Sequence, residues 1–415
     1  MSSPLGRPFW TLWTAFTGSN LADGLSLVTL PLLAITLTAD VRLIAAVAVF
    51  QYLPFLVFGL PAGVIIDRYD RRWIAVVAQV LRAAVVGGLG LVLLAGDVSI
   101  QLLLLVAFLI GASEVMTDGG LPALVRDLVR SDQLEVANAR LSATQTVSNA
   151  FVGPPLGALL FSVAPANPFL LSAGVSLASA VMLARLPGRY RAAQSTETTP
   201  LRRRLVVGLR YVWAHPVLRP LVVAVGAFSF VGAAGNAVFV VLITERFGID
   251  GVGFGVLMSV DAIASVIMSF FVAGLIRRTT HSWSMRLSIV CFVAGALLLG
   301  LSTVAAVAFV AASINGVSGP TWNIVSSTVR QRLVPDEVFG RMMTAYLFIA
   351  WGLRPVGALA GGFVAEAWGA RWVSIGSAVV VGSLLVSARP MFRRVDLAMT
   401  TTPSERAGTS HTATI

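Results

Sequence analysis

Long hydrophobic segments, separated by short charged or Pro/Gly-containing breaks, occupy almost the whole chain. A helix needs roughly 20 apolar residues to cross a bilayer, and these segments have about that length. The boundary near residue 303 is the least distinct, because only Ser302 and Thr303 mark it. We predict twelve membrane-spanning helices, at 10–38, 43–66, 73–95, 99–125, 137–163, 166–187, 218–244, 251–276, 284–303, 304–329, 342–365 and 371–389. The pattern is that of an all-α integral membrane protein.

A polar stretch at 188–216 divides these helices into two groups of six. We expect residues 1–187 to form an N-terminal six-helix bundle and residues 217–390 a C-terminal one, with 188–216 as a cytoplasmic linker. The Thr- and Ser-rich residues 391–415 are expected to be a disordered cytoplasmic tail.

The two halves also resemble each other in sequence. Val125-Arg126 precedes a helix with the motif Pro-Leu-Gly-Ala-Leu at 155–159, and Val329-Arg330 precedes one with Pro-Val-Gly-Ala-Leu at 355–359. The offsets between the two copies, 204 and 200 residues, are nearly equal. This is the pattern of a parallel internal repeat, in which each half has the same helix order.

Composition excludes a water-soluble protein. Hydrophobic residues make up 57% of the 415 residues and charged residues only 12%, and the mean hydropathy is +0.86. Soluble domains have about a quarter of their residues charged. A stable soluble core does not need this much apolar sequence.

The net charge of +11 reflects membrane orientation and not nucleic-acid binding, and we expect no nucleic-acid partner. All 30 basic residues are arginine; 24 fall in loops or ends on one side of the predicted membrane, three on the other side and three inside spans. Basic residues concentrate on the cytoplasmic side. We therefore predict that both termini are cytoplasmic.

The sequence lacks the residues that membrane enzymes and metal sites need. It has one cysteine, Cys291, and three histidines, all in predicted loops or the tail. No nucleophile motif or metal-ligand spacing occurs. We expect no enzymatic activity and no cofactor or bound metal.

The junction between the second and third predicted helices carries a motif of known type. Residues 63–72 read Gly-Val-Ile-Ile-Asp-Arg-Tyr-Asp-Arg-Arg, which resembles the G-x-x-x-D-R-x-G-R-[RK] loop of major facilitator transporters, with Asp70 in the glycine position. In that family the acidic and basic residues of this loop lock the cytoplasmic gate against the opposite half. The resemblance assigns the gate role to Gly63, Asp67, Arg68, Arg71 and Arg72.

Further motifs narrow the resemblance to one branch of the family. Leu-Pro-Ala-Leu-Val at 121–125, Ala-Asn-Ala-Arg at 137–140, Gly-Pro-Pro-Leu-Gly at 153–157 and Arg-Gln-Arg-Leu-Val-Pro at 330–335 resemble the enterobactin-exporter and macrolide-efflux branch. Gly153-Pro154-x-x-Gly157 also resembles a fifth-helix signature of antiporters. The same small residues would equally suit close helix packing.

The resemblance implies a function, a location and partners. We expect an exporter of a drug, siderophore or secondary metabolite, driven by proton exchange, acting as a monomer in the bacterial plasma membrane. Its expected partners are a lipophilic or amphipathic small molecule, protons and the lipid bilayer. An importer of a small nutrient and a non-transporting membrane sensor with the same fold are the alternatives.

Ionisable residues inside membrane spans are costly and are therefore candidates for function. For proton coupling we nominate Glu114 first, then Asp23, Asp118 and Asp261. Glu114 and Asp118 are four residues apart and share a helix face. Arg82 is predicted to form a structural ion pair with Glu114 or Asp118.

Polar and aromatic residues inside predicted cavity helices complete the candidate site. Amide side chains also hold transmembrane helices together, so packing is the alternative role for each. Arg354 could bind an anionic substrate group or neutralise Asp261. The predicted cavity residues are Asn20, Gln145, Asn149, Asn236, Asn315, Trp322, Asn323 and Arg354.

Overall fold

In the computed structural model, which describes residues 5–130, 133–188, 190 and 201–400, every regular element of the described chain is helical. Side chains at a few helical positions, among them Gly63, Asp67, Arg68 and Asp118, lie outside the described part.

The first half contains seven α-helices and one π-helical segment. They are α1 (Arg7–Leu37), α2 (Val41–Arg68), α3 (Arg71–Ala95), α4 (Ile100–Leu128), α5 (Leu134–Gln145), the π-helical segment Thr146–Val152, α6 (Gly153–Val163) and α7 (Asn167–Ala184). Helix α5, the π-helical segment and α6 are continuous and form one span.

The second half contains eight α-helices and a second π-helical segment. They are α8 (Leu201–Ala214), α9 (Leu218–Val241), the π-helical segment Leu242–Arg246, α10 (Gly251–Arg278), α11 (His281–Leu301), α12 (Ala305–Leu333), α13 (Asp336–Trp368), α14 (Ala370–Ser387) and α15 (Arg389–Thr400). A single residue, Gly369, joins α13 to α14 with φ of +94°, a conformation that glycine adopts without strain.

Eleven helices in the described residues are long and apolar enough to cross a membrane. Each predicted span coincides with a helix, and the break near 303 is present, since α11 ends at Leu301 and α12 begins at Ala305. Helix α12 has the length of a span but falls short in hydropathy, because Asn315, Pro320 and Asn323 interrupt it. The chain is a multi-pass membrane protein.

Polar side chains at several helix starts explain where those helices begin. Asp40, Asp70, Ser99, Asp250 and Thr280 each accept a hydrogen bond from a backbone N–H in the first turn of α2, α3, α4, α10 and α11. These N–H groups have no partner within the helix, so the caps satisfy them.

The disorder predicted from residue 391 is wrong for residues 391–400, which form most of α15. The apolar side of this helix, Met391, Phe392 and Val395, is buried against the core of the second half. Asp396 fixes the helix further, because its carboxylate accepts hydrogen bonds from the backbone and hydroxyl of Ser282 at the start of α11. The segment forms a helix because its apolar residues lie on one side, although its average hydrophobicity is low.

Buried apolar residues define two different ends of the molecule. At the end formed by the connections 38–40, 96–99, 164–166, 247–250 and 302–304, here the arginine-poor end, both halves contribute to one shared cluster. Toward the arginine-rich end, where the chain begins at the start of α1, the first half has its own cluster and the second half another. Among the described side chains, the two bundles therefore share a core at the arginine-poor end and have separate cores toward the arginine-rich end; we call the boundary between the two separate cores the fissure.

The repeated Pro-x-Gly-Ala-Leu motif has the same packing role in each half. A Cβ on Gly157 would lie 3.1 Å from the carbonyl oxygen of Leu25 in α1, and one on Gly357 would lie 2.1 Å from that of Phe230 in α9. Helices α1 and α9 are each the first membrane-spanning helix of their half. Small residues allow this close backbone approach.

Candidate functional site

A buried ion pair joins α1 to α3 inside the first bundle. The Arg82 guanidinium, 2% exposed, donates to the Asp23 carboxylate and also, at 3.4 Å, to the Ser26 hydroxyl. One turn away, the Gln79 amide donates to the Ser19 hydroxyl at 2.6 Å. These contacts tie the two helices together where the bilayer offers no other partners.

The structure shows a partner of Arg82 that the sequence did not propose, Asp23. The predicted pairing with Glu114 or Asp118 stays a prediction, because the side chain of Asp118 lies outside the described part. Helix α1 packs against α7 and α6, and α3 packs against α7 and α4, which brings Asp23 and Arg82 to the same depth. The depth of each residue in the membrane could be estimated from the sequence. Which helices are neighbours could not.

A second polar cluster lies where α2 of the first bundle meets α9 and α13 of the second. The Asn236 amide donates to the Tyr52 hydroxyl at 3.0 Å. The guanidinium carbon of Arg354 lies 3.9 Å from the ring centre of Trp351 and 5.6 Å from that of Tyr52. Cations are attracted to aromatic faces at such distances.

Aromatic stacking closes this cluster on the side of the arginine-rich end. The rings of Phe55 and Trp351 stack with centres 4.4 Å apart and planes only 10° from parallel. A Cβ on Gly352 would lie 3.3 Å from the side chain of Leu56. Residues 52, 55 and 56 share one face of α2 and 351 and 354 share one of α13, because three or four residues make about one helical turn.

Glu114 of α4 brings a negative charge to the same cluster. Its carboxylate is within electrostatic range of both Tyr52 and Arg354, and α4 packs against α2. The side chain is half-buried. The cluster thus combines a carboxylate and Tyr52 from the first bundle with a guanidinium from the second. We refer to Tyr52, Phe55, Glu114, Asn236, Trp351 and Arg354 as the bridging cluster.

Three predicted cavity residues lie inside the bundles instead. Asn20 is 4% exposed, and its amide donates to the carbonyl of Phe16 in its own helix. Trp322 is 6% exposed and packs against Phe228. The Asn315 side chain lies over Gly295 of α11, where a Cβ would be 2.3 Å from its amide oxygen. These side chains fill space between helices.

Other predicted cavity residues are solvent-accessible at membrane depth. Gln145, Asn236 and Asn323 are exposed, and Asn149 is half-buried. Exposed amides facing lipid would be costly, so they are expected to face water in the fissure. Asp261 is half-buried on α10, where its backbone carbonyl approaches Gly316 of α12. The side chain of Asp118 lies outside the described part.

The antiporter-like motif at 153–157 has a distinct backbone. It follows the π-helical segment Thr146–Val152, and a Cβ on Gly153 would lie 2.5 Å from the Cα of Gly24 in α1. Pro154 and Pro155 lack the N–H groups that would bond to residues 150 and 151, which explains the irregular helix before them. The motif therefore holds α6 directly against α1.

The loop between α2 and α3 is bound to its own bundle. Asp70 caps α3 and accepts a hydrogen bond from the backbone N–H of Tyr190. Arg71 pairs with Asp127 at 3.2 Å, and Arg72 donates to the carbonyl of Leu186. Asp70, which replaces the family glycine, thus has a capping role. The side chains of Gly63, Asp67 and Arg68 lie outside the described part, so their predicted gate contacts stay predictions.

The sequence analysis missed three members of the bridging cluster, Tyr52, Phe55 and Trp351. Gln51 and Tyr52 are the polar residues of the otherwise apolar stretch 45–53, and this signal could have identified Tyr52. The sequence analysis also missed a contact between the halves at the arginine-poor end, where Arg42 lies 3.9 Å from Glu366 of α13. No charge pattern in the sequence pointed to that pair.

Comparison with known proteins agrees with this architecture. The sequence profile of the Major Facilitator Superfamily matches residues 12–353. The chain therefore belongs to the Major Facilitator Superfamily, and it is a membrane transporter rather than an enzyme.

Its relatives include efflux pumps, which confirms the resemblance to the macrolide-efflux branch. The chain is 25% identical to the multidrug efflux pump Tap of Mycolicibacterium fortuitum, over 93% of this chain and 96% of Tap. It is 22% identical to macrolide efflux protein A of Streptococcus pyogenes, over 94% of this chain and 97% of that protein.

Solved structures share the fold at low identity. The nucleoside transporter NupG superposes with a TM-score of 0.72 at 13% identity, covering 96% of this chain and 100% of NupG. A bacterial homologue of the iron transporter ferroportin in an inward-facing state gives 0.71 at 14% identity, covering 93% and 99%.

Proposed function

We propose that this transporter exports a lipophilic or amphipathic small molecule in exchange for protons, by alternating access between two six-helix bundles. The observation that carries the proposal is the bridging cluster: Glu114 and Tyr52 come from the first bundle and Arg354 from the second, and the Arg354 guanidinium carbon lies 5.6 Å from the Tyr52 ring centre. A proton arriving at Glu114 removes one of the charges that hold the two bundles in this arrangement.

The orientation in the membrane is part of the proposal. Twelve spans, α12 included, would place both termini on one side, and the arginine asymmetry favours the cytoplasm for that side. The fissure then opens to the cytoplasm, and the shared core at the arginine-poor end closes the outer face. We infer an inward-open state of a monomeric transporter in the bacterial plasma membrane.

The proposed cycle uses Glu114 as the proton carrier. In the inward-open state the ionised carboxylate faces Arg354 and Tyr52, and substrate occupies the fissure. Once the outer side opens, Glu114 takes up a proton from the more acidic side and substrate leaves. The neutral form then allows return, and proton release on the cytoplasmic side restores the charge. Asp23 is the weaker candidate, because Arg82 already neutralises it.

The relatives support export over import. Tap is named as a multidrug efflux pump and macrolide efflux protein A as an efflux protein. A nutrient importer and a sensor without transport activity are the alternatives that the experiment below excludes.

The test is uphill efflux from proteoliposomes with an imposed pH gradient. Glu114→Gln has the shape of the protonated acid, so it should abolish gradient-driven efflux while keeping downhill substrate exchange. Glu245→Gln, an exposed acid at the arginine-poor end, serves as the matched control and should retain both activities. Full gradient-driven efflux by Glu114→Gln would remove the role from Glu114 and pass it to Asp23, and if Asp23→Asn also keeps full efflux, to Asp118 or Asp261.

A further inference from the structure

An apolar groove leads along the edge of the fissure on the side of α2, α9 and α13. It has a volume of about 580 Å³ and is lined by Leu56, Trp213, Val223, Phe230, Phe348 and Gly352, among other residues, all of them apolar. Ligand pockets for drug-sized molecules span roughly 300–1,000 Å³. The groove is therefore large enough to hold one such molecule.

The groove begins at the level of the membrane surface. Trp213 belongs to the amphipathic helix α8, whose exposed residues include the basic Arg203 and Arg210 and the apolar Val206 and Trp213. Helices with this pattern lie in the interface between lipid headgroups and acyl chains, and tryptophan prefers that level. A molecule dissolved in the adjacent leaflet meets the groove at Trp213.

The groove ends at the bridging cluster. Its lining residues Leu56 and Gly352 contact each other, and their chain neighbours Phe55 and Trp351 form the stacked pair of that cluster. Arg354 and Tyr52 lie about one turn further toward the arginine-poor end. The apolar path thus leads from the interface to the stacked Phe55–Trp351 pair, which must part to admit a molecule to the charged groups at mid-membrane.

We propose that this groove is the route by which a lipophilic small molecule passes from the bilayer leaflet at the arginine-rich end to the bridging cluster, without first entering the aqueous phase. The proposal rests on the proposed export function and specifies the source of its substrate. An all-apolar lining gives a water-borne polar molecule no hydrogen-bond partners, whereas a bilayer-dissolved molecule exchanges one apolar environment for another.

Val223 offers a way to block the groove without disturbing helix packing. Its side chain lies in the groove and is 50% exposed, so a larger residue there projects into the open volume. Val290 on α11 is the matched control, since it is 49% exposed in the same bundle and does not line the groove. The variants Val223→Trp and Val290→Trp are compared in proteoliposomes with an imposed pH gradient.

Two probes separate the possible sources of substrate. Hoechst 33342 partitions into the bilayer, and ethidium is supplied from the water on the arginine-rich side. We expect Val223→Trp to slow Hoechst 33342 removal at least about fivefold and Val290→Trp to leave it within about twofold of the unsubstituted protein. Any ethidium transport should be equal in all three proteins.

Other outcomes overturn the route. Equal Hoechst rates in the two variants, equal slowing of both probes by Val223→Trp, or transport of ethidium alone by the unsubstituted protein would each contradict it, while leaving export itself in place. If the unsubstituted protein moves neither probe, the proposed export function falls, and the route falls with it.

A labelling experiment distinguishes a blocked groove from misfolding of the tryptophan variant. Val223→Cys is made in a Cys291→Ser background, so that the introduced thiol is the single one in the chain. Rates are measured in one reconstituted sample before and after reaction with a membrane-permeant bulky maleimide. The label should slow Hoechst 33342 removal by the same factor as tryptophan, and an unchanged rate after complete labelling would contradict the route.

Discussion

At the scale of single residues, the ionisable groups inside the membrane fall into two kinds of environment. Arg82 and Asp23 neutralise each other within one bundle and are supported by Ser26. Glu114 lies on one bundle and Arg354 on the other, both within electrostatic range of Tyr52. A pair inside one rigid unit stabilises that unit. Charges on two units that move relative to each other can couple a change in protonation to that motion.

The Arg82–Asp23 pair is therefore expected to contribute stability. Arg82→Met leaves a carboxylate without its partner inside the bundle, a change that costs about 3–5 kcal/mol for buried pairs. The double variant Arg82→Met/Asp23→Asn removes both charges and should recover part of that loss. Thermal unfolding of the detergent-solubilised proteins measures both, and equal melting temperatures for the single and double variants would contradict the assigned pair.

His215 makes stability depend on pH at the start of α9. Its Nδ1 accepts hydrogen bonds from the backbone N–H groups of Val217 and Leu218, and burial lowers the pKa of this imidazole from its usual 6.5. The folded state thus favours neutral His215, and its contribution is complete above about pH 6.5 and lost as the pH falls through the lowered value. His215→Asn keeps an acceptor but cannot titrate.

We expect the melting temperature of the unsubstituted protein to fall more steeply between pH 7 and pH 5 than that of His215→Asn. Parallel pH profiles for the two proteins would show that the histidine does not titrate on unfolding in this range.

At the scale of helices, close backbone contacts decide which elements pack together. Gly357 of α13 approaches α9 so closely that a Cβ would lie 2.1 Å from the carbonyl oxygen of Phe230, whereas Gly232 of α9 has no atom within 4 Å of an added Cβ. Glycine to alanine at 357 requires the backbones to move apart, and at 232 it requires nothing. Comparing the same substitution at the two positions therefore separates the effect of the close helix contact from the effect of replacing a glycine.

We expect Gly357→Ala to destabilise the protein by about 1–3 kcal/mol, the usual cost of overpacking. Gly232→Ala should match the unsubstituted protein or exceed it slightly, because alanine favours helix. The melting temperatures of the two variants provide the comparison, and equal values would argue against the close α9–α13 contact.

How far the sequence predicts these elements depends on the kind of information that each needs. The span positions follow from apolar length, so each predicted span matches a helix. The α15 helix was missed because three buried residues within a charged segment give too short an apolar pattern for a span. The bridging cluster was only partly found: Glu114, Asn236 and Arg354 are polar residues at membrane depth, but Tyr52 and Phe55 matter through their neighbours on α13.

At the scale of the whole molecule, the two ends have different means of holding the bundles together. The arginine-poor end has the shared apolar cluster and the exposed Arg42–Glu366 pair, 3.9 Å apart. Exposed pairs of this kind contribute about 0–1 kcal/mol, so the apolar cluster is the main closure. At the arginine-rich end the loop at 69–72 is bound within its own bundle by Asp127, Leu186 and Tyr190. Among the described side chains, one end thus has contacts that join the bundles and the other has contacts within each bundle.

The central claim is that protonation of Glu114 changes which end of the transporter is open. The most direct measurement uses electron-spin distances between two label pairs in the Cys291→Ser protein: Tyr69 with Arg278 at the arginine-rich end, and Asp97 with Thr303 at the arginine-poor end. We predict that changing the pH shifts the two distance distributions in opposite directions, and that Glu114→Gln abolishes the shift at both ends. A pH response that survives in Glu114→Gln, or distances that change at one end only, would contradict the account.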